Sequence, residues 1–419
     1  MKLLIVVSSL DLTQPFSATP AWWQLMKGLY EIGVDVIAAP YQGPAIESLW
    51  WRAERNPAKW QGDVFKTARD VMRRVRPLTP SLSPTRGEGS QDESEKRSPA
   101  QAYVVEDEGN DREAASERLI RRVAQAAITP LWERHLDRLL AKQPDIDAVI
   151  VINAPLNHLN GVAGALIRKH GKPILYYDGD VPASLPNMRG FATGFRIYQD
   201  ADPSEYTAFI SNSAGGANTL KALGARDVHV LYYGADPDVF SPVDASAQDI
   251  DAFFYGHGRE YREAWIEAML AEPSRRMPDA RFAARGTQLG DMGRTQLLPY
   301  LSFSKLREYA CRSKLNLCIT RAAHAGVFAS SSSRPFELAS MGCCIVSNPY
   351  AGFETWFEPG KELFVVHSTE EAVERYRYLL AHDAERQAVG RAARERVLRE
   401  HTFRHRARQL VGIVQGYLS

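Results

Sequence analysis

The chain has 419 residues, more than one ordinary core accommodates, so two domains are expected. Its 45% hydrophobic and 24% charged residues describe a globular chain, and a net charge of +1 provides no global field to argue for nucleic acid as the main partner. No run approaches the ~20 apolar residues that span a bilayer, the opening MKLLIVV lacks a small-residue cleavage site, and the four cysteines have no metal-ligand spacing, which together fit a reducing cytoplasm.

Residues 3–7 form a continuous apolar run, the mark of a central parallel strand. A loop, a helix over 21–32 closed by Gly33 and a strand over 34–39 complete one βαβ unit. Residues 45–75 are rich in Trp (Trp50, Trp51, Trp60) and then basic (Arg69, Arg73, Arg74, Arg76). That pattern fits a helix pair with a buried aromatic stripe, with weak peripheral contact to an anionic membrane as the alternative. Residues 77–111 are dominated by Pro, Ser, Gly and charge; such a stretch buries too little apolar surface to order itself, and a disordered insertion is expected.

Helical periodicity resumes over 112–142. Strands are expected over 147–152, 173–177, 208–212 and 228–232, with helices over 159–170 and 217–223 between them. His158 falls in the loop after the first of these strands. Asp178-Gly179-Asp180 follows the second, where carboxylates suit acid/base work, hydroxyl binding or plain Asx-turn chemistry. The turn-rich YYGADPDVFSP marks a domain boundary near residue 240. The alternation then restarts: a strand over 252–255, a turn over 256–258, a helix over 259–270, a strand over 281–284, a helix over 304–312 and a strand over 315–320. A short strand over 362–366 and helices over 369–382, 385–400 and 403–418 close the chain.

Residues 330–347 read SSSSRPFELASMGCCIVS. A polar run leads into a helix over 336–341, opened by Arg334 and Pro335 and ended by Gly342, with an apolar strand over 343–346 behind it. A helix N-terminus placed at the carboxyl ends of parallel strands suits a phosphate. Arg334 supplies forked donors, and Glu337, one turn in, suits a ribose diol. The competing reading is a surface helix whose glutamate only complements the dipole.

Five strings, in order, carry a resemblance to group 1 glycosyltransferases: NSAGGANTLKALGA, YYGADPDVFSP, RPFELASMGCCIVSN, GFETWFEPGKELFVV and ERQAVGRAARERVLREHTF. They lie within residues 173–405, and the Arg-x-Phe-Glu string is most similar to the spore-maturation-type (CgeB-like) subset. The resemblance implies a GT-B fold: two doubly wound α/β domains facing across a cleft, an acceptor-side domain over 1–240, a nucleotide-sugar domain over 241–402 and a final helix over 403–419 crossing back. It implies transfer of a sugar from a nucleoside-diphosphate donor, UDP- or GDP-linked, to a glycan, lipid or protein acceptor, with no other cofactor and no metal. Donor-side residues would be Glu337 on the ribose, then Gly256, Arg259, Arg262 and Arg285 near the diphosphate. Ser333, Arg334, Gly352, Phe353 and Glu354 complete that donor-side set. Asp178, Asp180 or His158 would be the base of an inverting reaction. Many family members carry a glutamate at the position of Ala329; His324 is the candidate replacement. A nucleotide-sugar 2-epimerase and a non-catalytic binding protein share the fold and stay open. Deleting residues 80–101 is expected to leave the melting temperature within a few degrees of wild type; a collapse in thermal melts would show that the insertion is structural.

Overall fold

The computed structural model describes residues 1–11, 21–59, 115–186, 197–244, 248–258, 262–299 and 301–418. The proposed insertion over 77–111, the basic run over 60–76 and Arg259 lie outside them.

Continuous apolar runs become the interior of a seven-stranded parallel sheet. Its strands are β1 (Lys2–Ser9), β2 (Asp35–Gln42), β3 (Arg52–Ala53), β4 (Ala148–Ile152), β5 (Ile174–Asp178), β6 (Ala208–Ser211) and β7 (Val228–Val230), ordered β3-β2-β1-β4-β5-β6-β7. Leu3 to Val7 are wholly buried because helices cover both faces. A second parallel sheet holds β8 (Ile250–His257), β9 (Phe282–Thr287), β10 (Gln296–Leu297), β11 (Ser313–Cys318), β12 (Ile345–Ser347) and β13 (Phe364–Val365), ordered β10-β9-β8-β11-β12-β13. Strand order reverses direction between β1 and β4 in one sheet and between β8 and β11 in the other. Such switch points open a crevice beyond the strands' carboxyl ends.

The last helix, Phe403–Gln415, places Phe403, Ala407, Leu410 and Val414 in the core of the first sheet. Gly28 permits this approach, since a Cβ there would lie 2.8 Å from the Phe403 carbonyl oxygen. Nearby, Lys27 donates to Asp236 at 2.6 Å and Asp238 at 2.8 Å, tying the first helix to the turn-rich connection between the sheets.

Three expectations are corrected. Residues 45–58 form a loop and the edge strand β3 rather than a helix, because Trp51 Nε1 donates to the Ile46 carbonyl and Trp50 and Trp51 pack edge-on against Trp23. Residues 256–257 continue β8 instead of turning. Gly256 pairs with Gly286, where an added Cβ would fall 1.9 Å from the Gly256 carbonyl oxygen, so the glycines serve close strand approach. The helix expected over 259–270 occupies Glu263–Ile266, widens into a π-turn over Glu267–Ala271 and continues through Glu272–Arg276. The wider turn accommodates Pro273, which has no N–H to give.

Candidate functional site

The site is built on a seam. Residues 329–331 leave the second sheet's side and run along the first. Ser213 and Ser330 form an antiparallel bridge. The N–H and Oγ–H of Ser331 both donate to the Asn212 carbonyl at 2.9 Å, and the Asn212 amide donates to the Ser331 carbonyl at 2.9 Å. Ser330 Oγ donates to the Val181 carbonyl at 2.9 Å, and the Gly215 N–H to the Phe328 carbonyl at 2.9 Å. Ser330 and Ser331 are therefore buried and polar with their partners supplied from the other half.

The seam delivers the helix Ser333–Ser340 to the gap between the sheets. It starts before residue 336, although the residue preceding a proline ordinarily resists helical backbone. Pro335 still falls in the first turn, where a missing N–H costs nothing. Ser332 at its N-cap is extended and its side chain makes no capping bond, leaving the first-turn N–H groups uncapped by a side chain. Gly342 follows in the left-handed conformation at φ 74°, as a helix-ending glycine requires.

These residues line a cavity of about 370 Å³ between the halves. Trp22, Gly179, Asp180 and Tyr233 face it from the first sheet's side; Gly256 and His257 at the end of β8, Thr320, Arg321 and His324 after β11, Arg262 and residues 331–334 face it from the second. The cavity thus sits at the second sheet's switch point. Among the described residues, three guanidinium groups border it. Arg262 donates to the carbonyls of Ile319 and His257, each at 3.1 Å. Arg334 stacks 3.6 Å over the Tyr255 ring and donates to the Tyr255 carbonyl. Arg321 donates to Asp180 at 2.6 Å across the gap.

Glu337 lies behind Arg334 rather than on the cavity wall. It is 1% exposed; its Oε2 accepts from Tyr255 Oη at 3.4 Å and sits 4.0 Å from Arg334 Nε. Its Oε1 and Arg334 Nε have no hydrogen-bond partner among the described residues. Burial raises the Glu337 pKa above its ordinary 4.5, against the pull of Arg334 and the Ser333 and Tyr255 hydroxyls. His324 is also buried, and burial, then Arg321 and Arg262, hold its pKa well below 6.5. Its Nε2 is 2.9 Å from Arg321 Nη2. A guanidinium only donates, so Nε2 accepts and the neutral ring carries its proton on Nδ1, which has no partner.

Of the residues singled out in the sequence, Asp180, His324, Gly256, Arg262, Ser333 and Arg334 meet at this cavity. Arg259 lies outside the described residues, and the others do not line the cavity. Asp178 is buried and saturated, accepting from Ser184 Oγ at 2.6 Å, Tyr198 Oη at 2.5 Å and the Asp180 N–H at 3.0 Å; burial raises its pKa. It shapes the loop that carries Asp180. His158 pairs with Tyr41 Oη at 2.6 Å away from the cavity, its pKa lowered to about 4 by burial and then by Arg121. Arg285 is 8% exposed within β9. Phe353 belongs to the second sheet's aromatic core, and Glu354 faces solvent. Gly352, at φ 77°, packs against Phe328 and Ala329. Ala329 itself is fully buried at φ 45°, beside Gly352. Arg321 was not singled out: a lone arginine after a strand carries no signal until Asp180 is found 141 positions away.

Residues 259–412 match a family described as glycosyl transferase-like. Among curated proteins none matches the chain. The fold is GT-B, shared with solved structures across the full length. Sucrose-phosphate synthase from Thermosynechococcus elongatus is 13% identical, with 99% of each chain covered and a TM-score of 0.63. HepE of Anabaena, solved with UDP-glucose, is 11% identical, covering 99% of this chain and 100% of its own, at 0.58. The UDP-forming α,α-trehalose-phosphate synthase of Burkholderia vietnamiensis is 13% identical, with 99% of each chain covered, at 0.57.

The raised Glu337 pKa has a thermodynamic sign. Between the unfolded value near 4.5 and the higher folded value, the folded chain holds more proton, so it loses stability as pH rises through that window. Glu337→Gln removes that loss. In denaturant melts of the ligand-free chain, the variant should be more stable than wild type at neutral pH, with the gap closing below pH ~4.5; a variant less stable at neutral pH would contradict the placement.

Proposed function

We propose that the chain is a glycosyltransferase that moves a sugar from a nucleoside-diphosphate donor to an acceptor hydroxyl. The observation that carries this reading is the uncapped helix end at Ser333, flanked by Arg262, Arg321 and Arg334, with the unsatisfied Glu337 Oε1 one turn behind it. An anion with two or three charges suits the first group, and a hydroxyl donor satisfies the last. A diphosphate joined to a ribose presents both. The UDP-glucose-bound HepE structure and the UDP-forming trehalose-phosphate synthase, which share the fold, support a UDP-linked donor. The Arg-Pro-Phe-Glu string supports placement near the spore-maturation-type subset.

As the sugar–phosphate bond breaks, negative charge grows on the departing diphosphate. We assign its stabilisation to the three guanidinium groups and the helix end, without a metal. Each such contact in a water-poor site is worth roughly 2.7–4 kcal/mol. Trp22 and Tyr233 close the first-half side of the cavity, with Gly179 between them; a Cβ there would lie 2.1 Å from the Trp22 ring. Asp180 is the one carboxylate on the wall among the described residues, and His324 adds a neutral imidazole. An isomerase working on the sugar would need several carboxylates converging there, and this wall offers one, so transfer is the better reading.

Incubation with UDP-, GDP- and TDP-sugars and a cell extract as acceptor source tests it. Nucleoside diphosphate released only when acceptor is present is expected. A changed sugar on intact nucleotide would replace the reading by isomerisation, and binding without turnover by a non-catalytic role. In calorimetry, Glu337→Ala should weaken nucleoside-diphosphate binding by about 1–3 kcal/mol, the cost of stranding polar partners; wild-type affinity would remove Glu337 from the donor site.

A further inference from the structure

The two halves exchange a charge pair inside the cavity. Asp180 comes from the loop after β5, and its Oδ1 accepts from Arg321 Nη2 at 2.6 Å. Arg321 follows β11 in the other half, and the same Nη2 reaches His324 Nε2 at 2.9 Å. The side chains are 26% and 17% exposed, so the pair is neither fully solvated nor sealed from water. A partly exposed single ion pair is held weakly. A diphosphate brings more charge than one carboxylate, and two or more oxygens for the guanidinium fork. On the same cavity wall stand Arg262, Arg334 and the helix end, which favour the same anion. A diphosphate in this cavity would therefore compete with Asp180 for Arg321.

Resting on the donor reading above, we propose that Asp180–Arg321 is a latch displaced by the donor. With the cavity empty, Arg321 holds Asp180 and the carboxylate is unavailable to a substrate hydroxyl. When diphosphate enters, Arg321 turns to it and Asp180 is released to accept a hydrogen bond from the acceptor's hydroxyl. Donor binding thus prepares the acceptor side, and Arg321 becomes a positioning residue for Asp180 as well as a diphosphate ligand. His324, which accepts from the same nitrogen, steadies the guanidinium during the exchange.

The test is a double-mutant cycle on the full chain, with inorganic pyrophosphate as the probe in calorimetry at fixed ionic strength. Asp180→Asn removes the internal competitor, so pyrophosphate binding should tighten about tenfold. In an Arg321→Gln background, the same substitution should change binding less than twofold, because no guanidinium is left to compete for. Asp180→Ser repeats the measurement with a different replacement should asparagine disturb the loop. An equal gain in both backgrounds would mean that Asp180 acts only through the general field, and no gain in either would mean that it does not compete; each overturns the latch while leaving the diphosphate site intact. Absence of pyrophosphate and UDP binding to wild type would remove the donor reading and the latch with it.

Discussion

Three residues of chain, 329–331, are held against the first half by hydrogen bonds with Asn212, Val181 and Ala214 and by the bridge at Ser213. The same residues lead into the helix Ser333–Ser340 of the second half. The position of that helix end is therefore set by both halves at once. A side chain larger than serine at 330 or 331, both fully buried, would push the halves apart. The small residue opposite them, Gly215, serves the same closeness: a Cβ there would fall 2.9 Å from the Phe328 backbone.

From that constraint the electrostatics follow. The helix end is positive and lacks a side-chain cap, and three arginines face the same space. Each of these guanidinium groups rests on protein: Arg262 on backbone carbonyls, Arg334 on Tyr255, Arg321 on Asp180. None of these contacts satisfies the buried Oε1 of Glu337. An unsatisfied buried carboxylate oxygen costs stability in the absence of a ligand and is relieved by a hydroxyl donor, the usual exchange between stability and function at a binding site.

Much of the fold was legible because a parallel strand buried on both faces must be a continuous apolar run. LLIVV and AVIVI could become little else, and Gly33 and Gly342 punctuate as left-handed glycines do. The helix Ser333–Ser340 was legible from its proline and glycine, though not its start, because Arg334 precedes a proline and adopts helical backbone regardless. Illegible features were those decided by distant partners. Asp178 and Asp180 look alike in DGD, yet one is saturated by Ser184 and Tyr198 and the other crosses to Arg321. The glycines at 256 and 258 read as a turn, whereas Gly256 continues β8 and Gly258 clears the chain beyond β9; a Cβ on Gly258 would meet the Gln288 carbonyl oxygen at 1.7 Å. Phe353 and the tryptophans at 50 and 51 are packing residues whose neighbours no local pattern names.

The central claim is that a nucleoside diphosphate rests on the amino end of the helix Ser333–Ser340. The most direct measurement is a crystal structure of the chain grown with UDP. The account predicts phosphate oxygens on the N–H groups of Ser333 and Arg334 and on the Arg334 guanidinium, with a ribose hydroxyl on Glu337 Oε1. UDP bound elsewhere, with that helix end and that oxygen untouched, would contradict it.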